Sequence, residues 1–178
     1  MAAEILASAG HAVTIFERMP SPARKFLMAG RGGLNLTHGE PLDRFLTRYG
    51  ATTGFVEAAV RAYPPSSVIR WCDGLGEATF RGSSGRIFPK SLKASPLLRA
   101  WLRRLDRLGV ALERGQTWTG WTPSGALRLQ SPAGEVRHIR VDATLLALGG
   151  GSWPRLGSDG RWVPLLEAEG LSIAPLEA

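Results

Sequence analysis

Hydrophobic and polar positions change period several times along the chain, and each change marks an element. Residues 1–10, MAAEILASAG, carry Ile5 and Leu6 among alanines and end at Gly10, the pattern of a helix closed by a glycine. HAVTIFER follows. It is apolar at Val13, Ile15 and Phe16 and reads as a buried strand ending at Glu17 and Arg18. A helix, a glycine stop and a short strand ending in an acid make the second half of a β-α-β unit. Residues 41–50 and 55–63 predict two short amphipathic helices, the second stopped by Pro64 and Pro65. Residues 66–76 predict a third, capped by Ser66 or Ser67 and stopped by Gly74.

Residues 81–94 read as a loop with a short strand at 86–88. The strongest helical pattern is SPLLRAWLRRLDRLG, with Ser95 as cap, Pro96 in the first turn and Gly109 as stop. Leu97, Leu98, Trp101, Leu102, Leu105 and Leu108 share one face, and Arg99, Arg103, Arg104 and Arg107 lie largely on the other. VALERG, QTWTGW, ALRLQS and VRHIRV then alternate as short strands, with turns at Pro123–Gly125 and Pro132–Gly134. They predict a small antiparallel meander over about residues 109–141, which feeds an apolar strand, DATLLALGGG, ending in three glycines. A last helix is expected in GSDGRWVPLLEAEG and the start of a strand in LSIAPLEA.

With 178 residues, 44% of them hydrophobic, the chain is long enough to bury the core of one domain. No apolar run approaches the roughly 20 residues that span a bilayer, and the N-terminus lacks the basic region of a secretion signal. A cytoplasmic protein without a membrane partner is expected. Cys72, the one cysteine, excludes an internal disulfide and a multi-cysteine metal site, and reads as a half-buried thiol on a helix. His11, His38 and His138 are too scattered for a recognisable metal site. The net charge of +7 favours an anionic partner, either a phosphate-bearing cofactor or RNA, without deciding between them.

Three stretches carry candidate chemistry. Glu17, with Arg18 beside it, ends the second strand of the unit, where an acid takes both hydroxyls of an adenosine ribose; a solvent-facing acid at a strand end looks the same. The loop Gly30, Arg31, Gly32, Gly33 has no β-carbons at its glycines to keep an anion from its backbone N–H groups, with Lys25 nearby, and runs on into Asn35 and Thr37. A flexible surface turn is the alternative. Gly149, Gly150 and Gly151, at the end of an apolar strand, let the backbone pass against a flat cofactor or make a tight turn. Trp118 and Trp121 lie on one strand and read as packing residues, and the arginines of the long helix as a solvated face.

RKFLMAGRGGLNLTH, GRIFPKSLKASPLLRAWLRRL and DATLLALGGGSWPRLGSDG together resemble the YhiN/BaiN-like (aminoacetone-oxidase-like) NAD(P)/FAD-dependent oxidoreductases of bacteria. The resemblance runs over essentially the whole chain. In that family an SGxGRCNxTN segment lies near the flavin; Gly30, Gly32, Asn35 and Thr37 match it, while Ala29, Gly33, Leu34 and His38 depart from it. It implies an α/β fold of the two-dinucleotide-binding Rossmann-like type, with the meander set within it. It also implies FAD as cofactor, NAD(P)H as candidate electron donor, and a small-molecule or RNA substrate. Residues 1–178 are then expected to be a partial FAD-binding domain. Its first strand and GxGxxG turn would precede Met1, read here as an internal methionine, and its inserted substrate domain would follow. The alternatives are a basic RNA-binding module without redox activity and a non-functional fragment.

Overall fold

The computed structural model describes residues 1–50 and 54–176. In chain order the first elements are α1 (Ala2–Ser8), β1 (Thr14–Glu17), α2 (Arg24–Ala29), β2 (Thr37–His38), α3 (Leu42–Leu46), α4 (Gly54–Ala62) and α5 (Pro65–Gly74). Then come β3 (Thr79–Arg81), β4 (Arg86–Pro89), α6 (Ala94–Arg107), β5 (Ala111–Arg114), β6 (Thr117–Trp121), β7 (Leu127–Gln130), β8 (Val136–Ile139) and α7 (Val163–Glu167). They fall into two compact units, Met1–Lys25 with Leu108–Ala178, and Phe26–Arg107.

In the first unit α1 ends where Gly10 takes φ +89°, a backbone that a side chain would strain. β1 pairs in parallel with β5, Thr14 opposite Ala111 and Glu17 opposite Arg114. Rungs from Ala111 N to Val13 O (3.0 Å) and from Gln116 N to Glu17 O (3.0 Å) extend the ladder at both ends. β6, β7 and β8 form an antiparallel meander. Residues three apart on a regular strand face opposite ways, yet Trp118 and Trp121 meet edge to face with centroids 4.8 Å apart. The register shift between them, with Gly120 at φ +105°, turns both indoles to the same side.

In the second unit β2, β4 and β3 form an antiparallel sheet. Leu34, Cys72, Ala94 and Leu97 make its buried cluster, with Phe26, Leu36, Trp71 and Leu75 packed around them. Amphipathy places α6: Leu97, Leu98 and Leu105 are buried, whereas Arg99, Arg103 and Arg107 are exposed. Fully burying a side chain such as Leu97 contributes about 2 kcal/mol. Trp71 of α5 and Trp101 of α6 pack edge to face at 5.0 Å.

Several expectations change. VALERG does form β5, but it leaves the meander and pairs with β1, because strand propensity does not identify the partner. The strand expected over DATLLALGGG is absent: residues 143–150 join no ladder among the described residues, and Leu145 is 68% exposed. A strand exists only through a neighbour's hydrogen bonds, and none of the described strands pairs with it. The cap of α5 is Pro64 with Pro65 in the first turn, in place of Ser66 or Ser67, because proline suits the donor-free first position. α6 begins at Ala94, so Ser95 lies inside it. The last helix shortens to Val163–Glu167, and residues 171–176 form no strand; Glu177 and Ala178 lie outside the described residues. Cys72 is fully buried, not half-buried.

Candidate functional site

In the first unit Glu17 ends β1 half-buried, and its Oε1 accepts the Met19 N–H at 2.8 Å. That bond orients the carboxylate at the strand end, and among the described residues Oε2 has no donor. Arg18 turns to the far end of the sequence. Its Nη2 donates to Gly157 O at 2.8 Å and its Nη1 lies 3.0 Å from Asp159 Oδ2. Lys25 Nζ donates to Ser152 Oγ at 2.9 Å. Both predicted cations therefore reach the segment that follows the three glycines.

That segment is closed on itself. Trp153 and Ser158 exchange two backbone hydrogen bonds of 3.1 Å, with Pro154 and Gly157 making the turn. The Ser158 hydroxyl is buried and donates to Gly150 O at 2.8 Å, and Trp162 Nε1 donates to Gly149 O at 2.9 Å. Two carbonyls of the glycine run are thus tied back into the protein. Among the described residues the N–H groups of Gly150 and Gly151 have no acceptor. A β-carbon at Gly150 would meet nothing within 4 Å, so that face is open to a close approach. At Gly149 (φ +72°) a β-carbon would lie 2.9 Å from Ser158 Oγ, so there packing itself requires glycine.

The second unit carries Gly30, Arg31, Gly32, Gly33, Asn35 and Thr37. A β-carbon on Gly30 would sit 2.5 Å from Ala94 Cβ, so this glycine lets the loop pack on the first turn of α6. Gly33 is required by its backbone, at φ +111°. Gly32 is different: it is exposed, a β-carbon added there would meet nothing within 4 Å, and its φ is not left-handed. Arg31 and Asn35 are exposed, and Thr37 pairs with Ile87 in the sheet.

Two features of these units escape a reading of the sequence. Ser158 and Asp159 belong to a Ser-Asp-Gly turn, whose composition was the only signal. Glu40 gathers Arg48 in a bidentate pair (2.6 and 2.9 Å), with Arg44 and His38 Nδ1 each at 3.4 Å. The Arg48 hydrogen bonds hold its carboxyl below the usual range, aided by the nearby positive charges. The Cys72 thiol donates to Glu77 O at 3.1 Å; burial first, then Asp73 and Glu77, push it up to about 11, so it is a neutral core group. Among the described residues no group of three His, Cys, Asp or Glu could hold a metal ion, and no helix is long and apolar enough to cross a membrane.

A family described as the HI0933-like protein Rossmann domain matches residues 1–178. The 3-dehydro-bile acid delta(4,6)-reductase of Clostridium scindens is 26% identical over 168 residues, which are 92% of this chain and 39% of that protein. Among solved structures, Thermovibrio ammonificans THI4 aligns with a TM-score of 0.58 at 16% identity, over 96% of this chain and 58% of the other. This likeness shows the shared Rossmann-like fold. The chain therefore spans well under two thirds of either relative's length.

Proposed function

The chain belongs to the HI0933-like Rossmann domain family of flavoprotein oxidoreductases, and from that premise we propose that it is the FAD-binding part of a flavin-dependent oxidoreductase. The observation that carries the proposal is the end of β1. In a Rossmann-like unit the acid closing this strand meets the adenosine ribose, and Glu17 occupies that place with its carboxylate oriented by Met19 N–H. The residues fit such a ligand: Glu17 Oε2 is open to hydroxyl donors, and the N–H groups of Gly150 and Gly151 are open to an acceptor. When bound, FAD supplies the electron transfer.

The protein's part is to bind and orient. Glu17 accepts hydrogen bonds from the ribose, Gly150 lets the backbone approach a flat ring or an oxygen, and Lys25 supplies positive charge. The Clostridium scindens relative is named a reductase, which supports reduction of an organic substrate as the direction of chemistry. NAD(P)H is the proposed electron donor. The test is to purify the full-length protein and examine its visible flavin absorbance. Denaturation should release FAD identified by mass; a colourless protein that takes up no added FAD overturns the proposal.

A further inference from the structure

Arginine directly after the strand-end acid is usually read as a reader of phosphate on the adenosine ribose. In this chain both terminal nitrogens of Arg18 are already engaged, by Gly157 O at 2.8 Å and by Asp159 Oδ2 at 3.0 Å. Asp159 is itself largely buried and also holds Arg161 Nε at 3.3 Å, so it is neutralised from two sides. The same turn carries Ser158, whose hydroxyl holds Gly150 O and whose backbone pairs with Trp153. Arg18 therefore links the end of β1 to the turn that holds the glycine run, across 139 positions of sequence.

We propose that Arg18 is a positioning residue of the dinucleotide site. It fixes the Gly157–Asp159 turn, and through Ser158 the Gly149–Gly151 backbone, relative to Glu17, and its engagement with Asp159 makes the site select an unmodified ribose over one carrying a 2′-phosphate. The inference rests on the FAD reading above. Charge explains the selectivity. A 2′-phosphate would approach the Glu17 carboxylate, and Arg18, the next residue, could balance it only by leaving Asp159, a largely buried carboxylate that would keep Arg161 alone. A free ribose hydroxyl needs no such exchange and donates to Glu17 directly.

The experiment measures FAD binding to the full-length protein by loss of flavin fluorescence, with AMP and adenosine 2′,5′-bisphosphate, which differ only in the 2′-phosphate, as competitors. Wild type is compared with Asp159→Asn and Arg18→Lys. In wild type AMP competes better than the 2′-phosphate compound by about tenfold or more, as for one strong charge-assisted contact. Asp159→Asn releases Arg18 and narrows that ratio, a change that simple loosening of the fold would not produce, because both competitors share the adenosine. Arg18→Lys keeps the charge but loses the two-point tie, so it weakens FAD binding while leaving the competitor preference closer to wild type. An identical ratio in wild type and Asp159→Asn, with FAD still bound, overturns the role of Arg18 alone. A wild-type protein that binds no FAD overturns both this role and the reading on which it rests.

Discussion

The buried hydroxyl of Ser158 donates to the carbonyl oxygen of Gly150 at 2.8 Å, tying the turn after the glycine run back to the glycine run itself. Ser158→Ala removes the donor and leaves a partly buried carbonyl without it, at a cost of about 1–3 kcal/mol. Urea unfolding should show the midpoint fall with an unchanged slope. Ser158→Thr keeps the hydroxyl and should lose less, unless the added methyl crowds Gly149.

Two glycines of one loop should respond oppositely. Gly30→Ala drives a methyl to 2.5 Å from Ala94 Cβ, against backbone that cannot yield freely, and should destabilise the second unit by about 1–3 kcal/mol. Gly32→Ala meets nothing within 4 Å and should leave the unfolding midpoint within about 0.5 kcal/mol of wild type. Equal midpoints for Gly30→Ala and Gly32→Ala would contradict the packing difference between the two.

Glu40 makes stability fall in acid. Its carboxyl is held below the usual range, chiefly by the Arg48 hydrogen bonds, so its contribution is present above the ordinary carboxylate range and is lost as pH falls through the lowered folded value. Between about pH 6 and pH 3, Glu40→Gln should therefore lose less stability than wild type. Denaturation midpoints across that range measure it; parallel curves would contradict the assignment.

Cys72 acts at the other end of the scale. Burial raises its folded value to about 11, above that of an unfolded thiol, so its contribution is full below the unfolded value and is lost as pH rises between the two. Native protein should resist iodoacetamide near neutral pH and react only after unfolding. Rapid native labelling would mean that the thiol reaches solvent.

Much of this architecture was readable from local pattern. The apolar stripe of Leu97, Leu98 and Leu105 and the left-handed stop at Gly109 define α6 without reference to any other part of the chain. β1 was equally plain in Val13, Ile15 and Phe16. What local pattern lacked was partnership. The same alternation makes β5 a strand whether it joins the meander or β1, and the apolar run over Leu145 and Leu146 looks like a strand although no ladder forms. Arg18 shows the limit best: its charge beside Glu17 suggested a ligand, whereas its partners are 139 and 141 residues away in the chain.

The central claim is that Glu17 holds the adenosine end of FAD, and it is tested most directly by comparing FAD with FMN on the full-length wild type and on Glu17→Gln. Glutamine keeps an oxygen for Met19 N–H but loses the charge that strengthens the ribose contacts. The account predicts that wild type prefers FAD to FMN and that Glu17→Gln weakens FAD by about tenfold, with FMN binding little changed. Equal FAD affinity in the two proteins would contradict it.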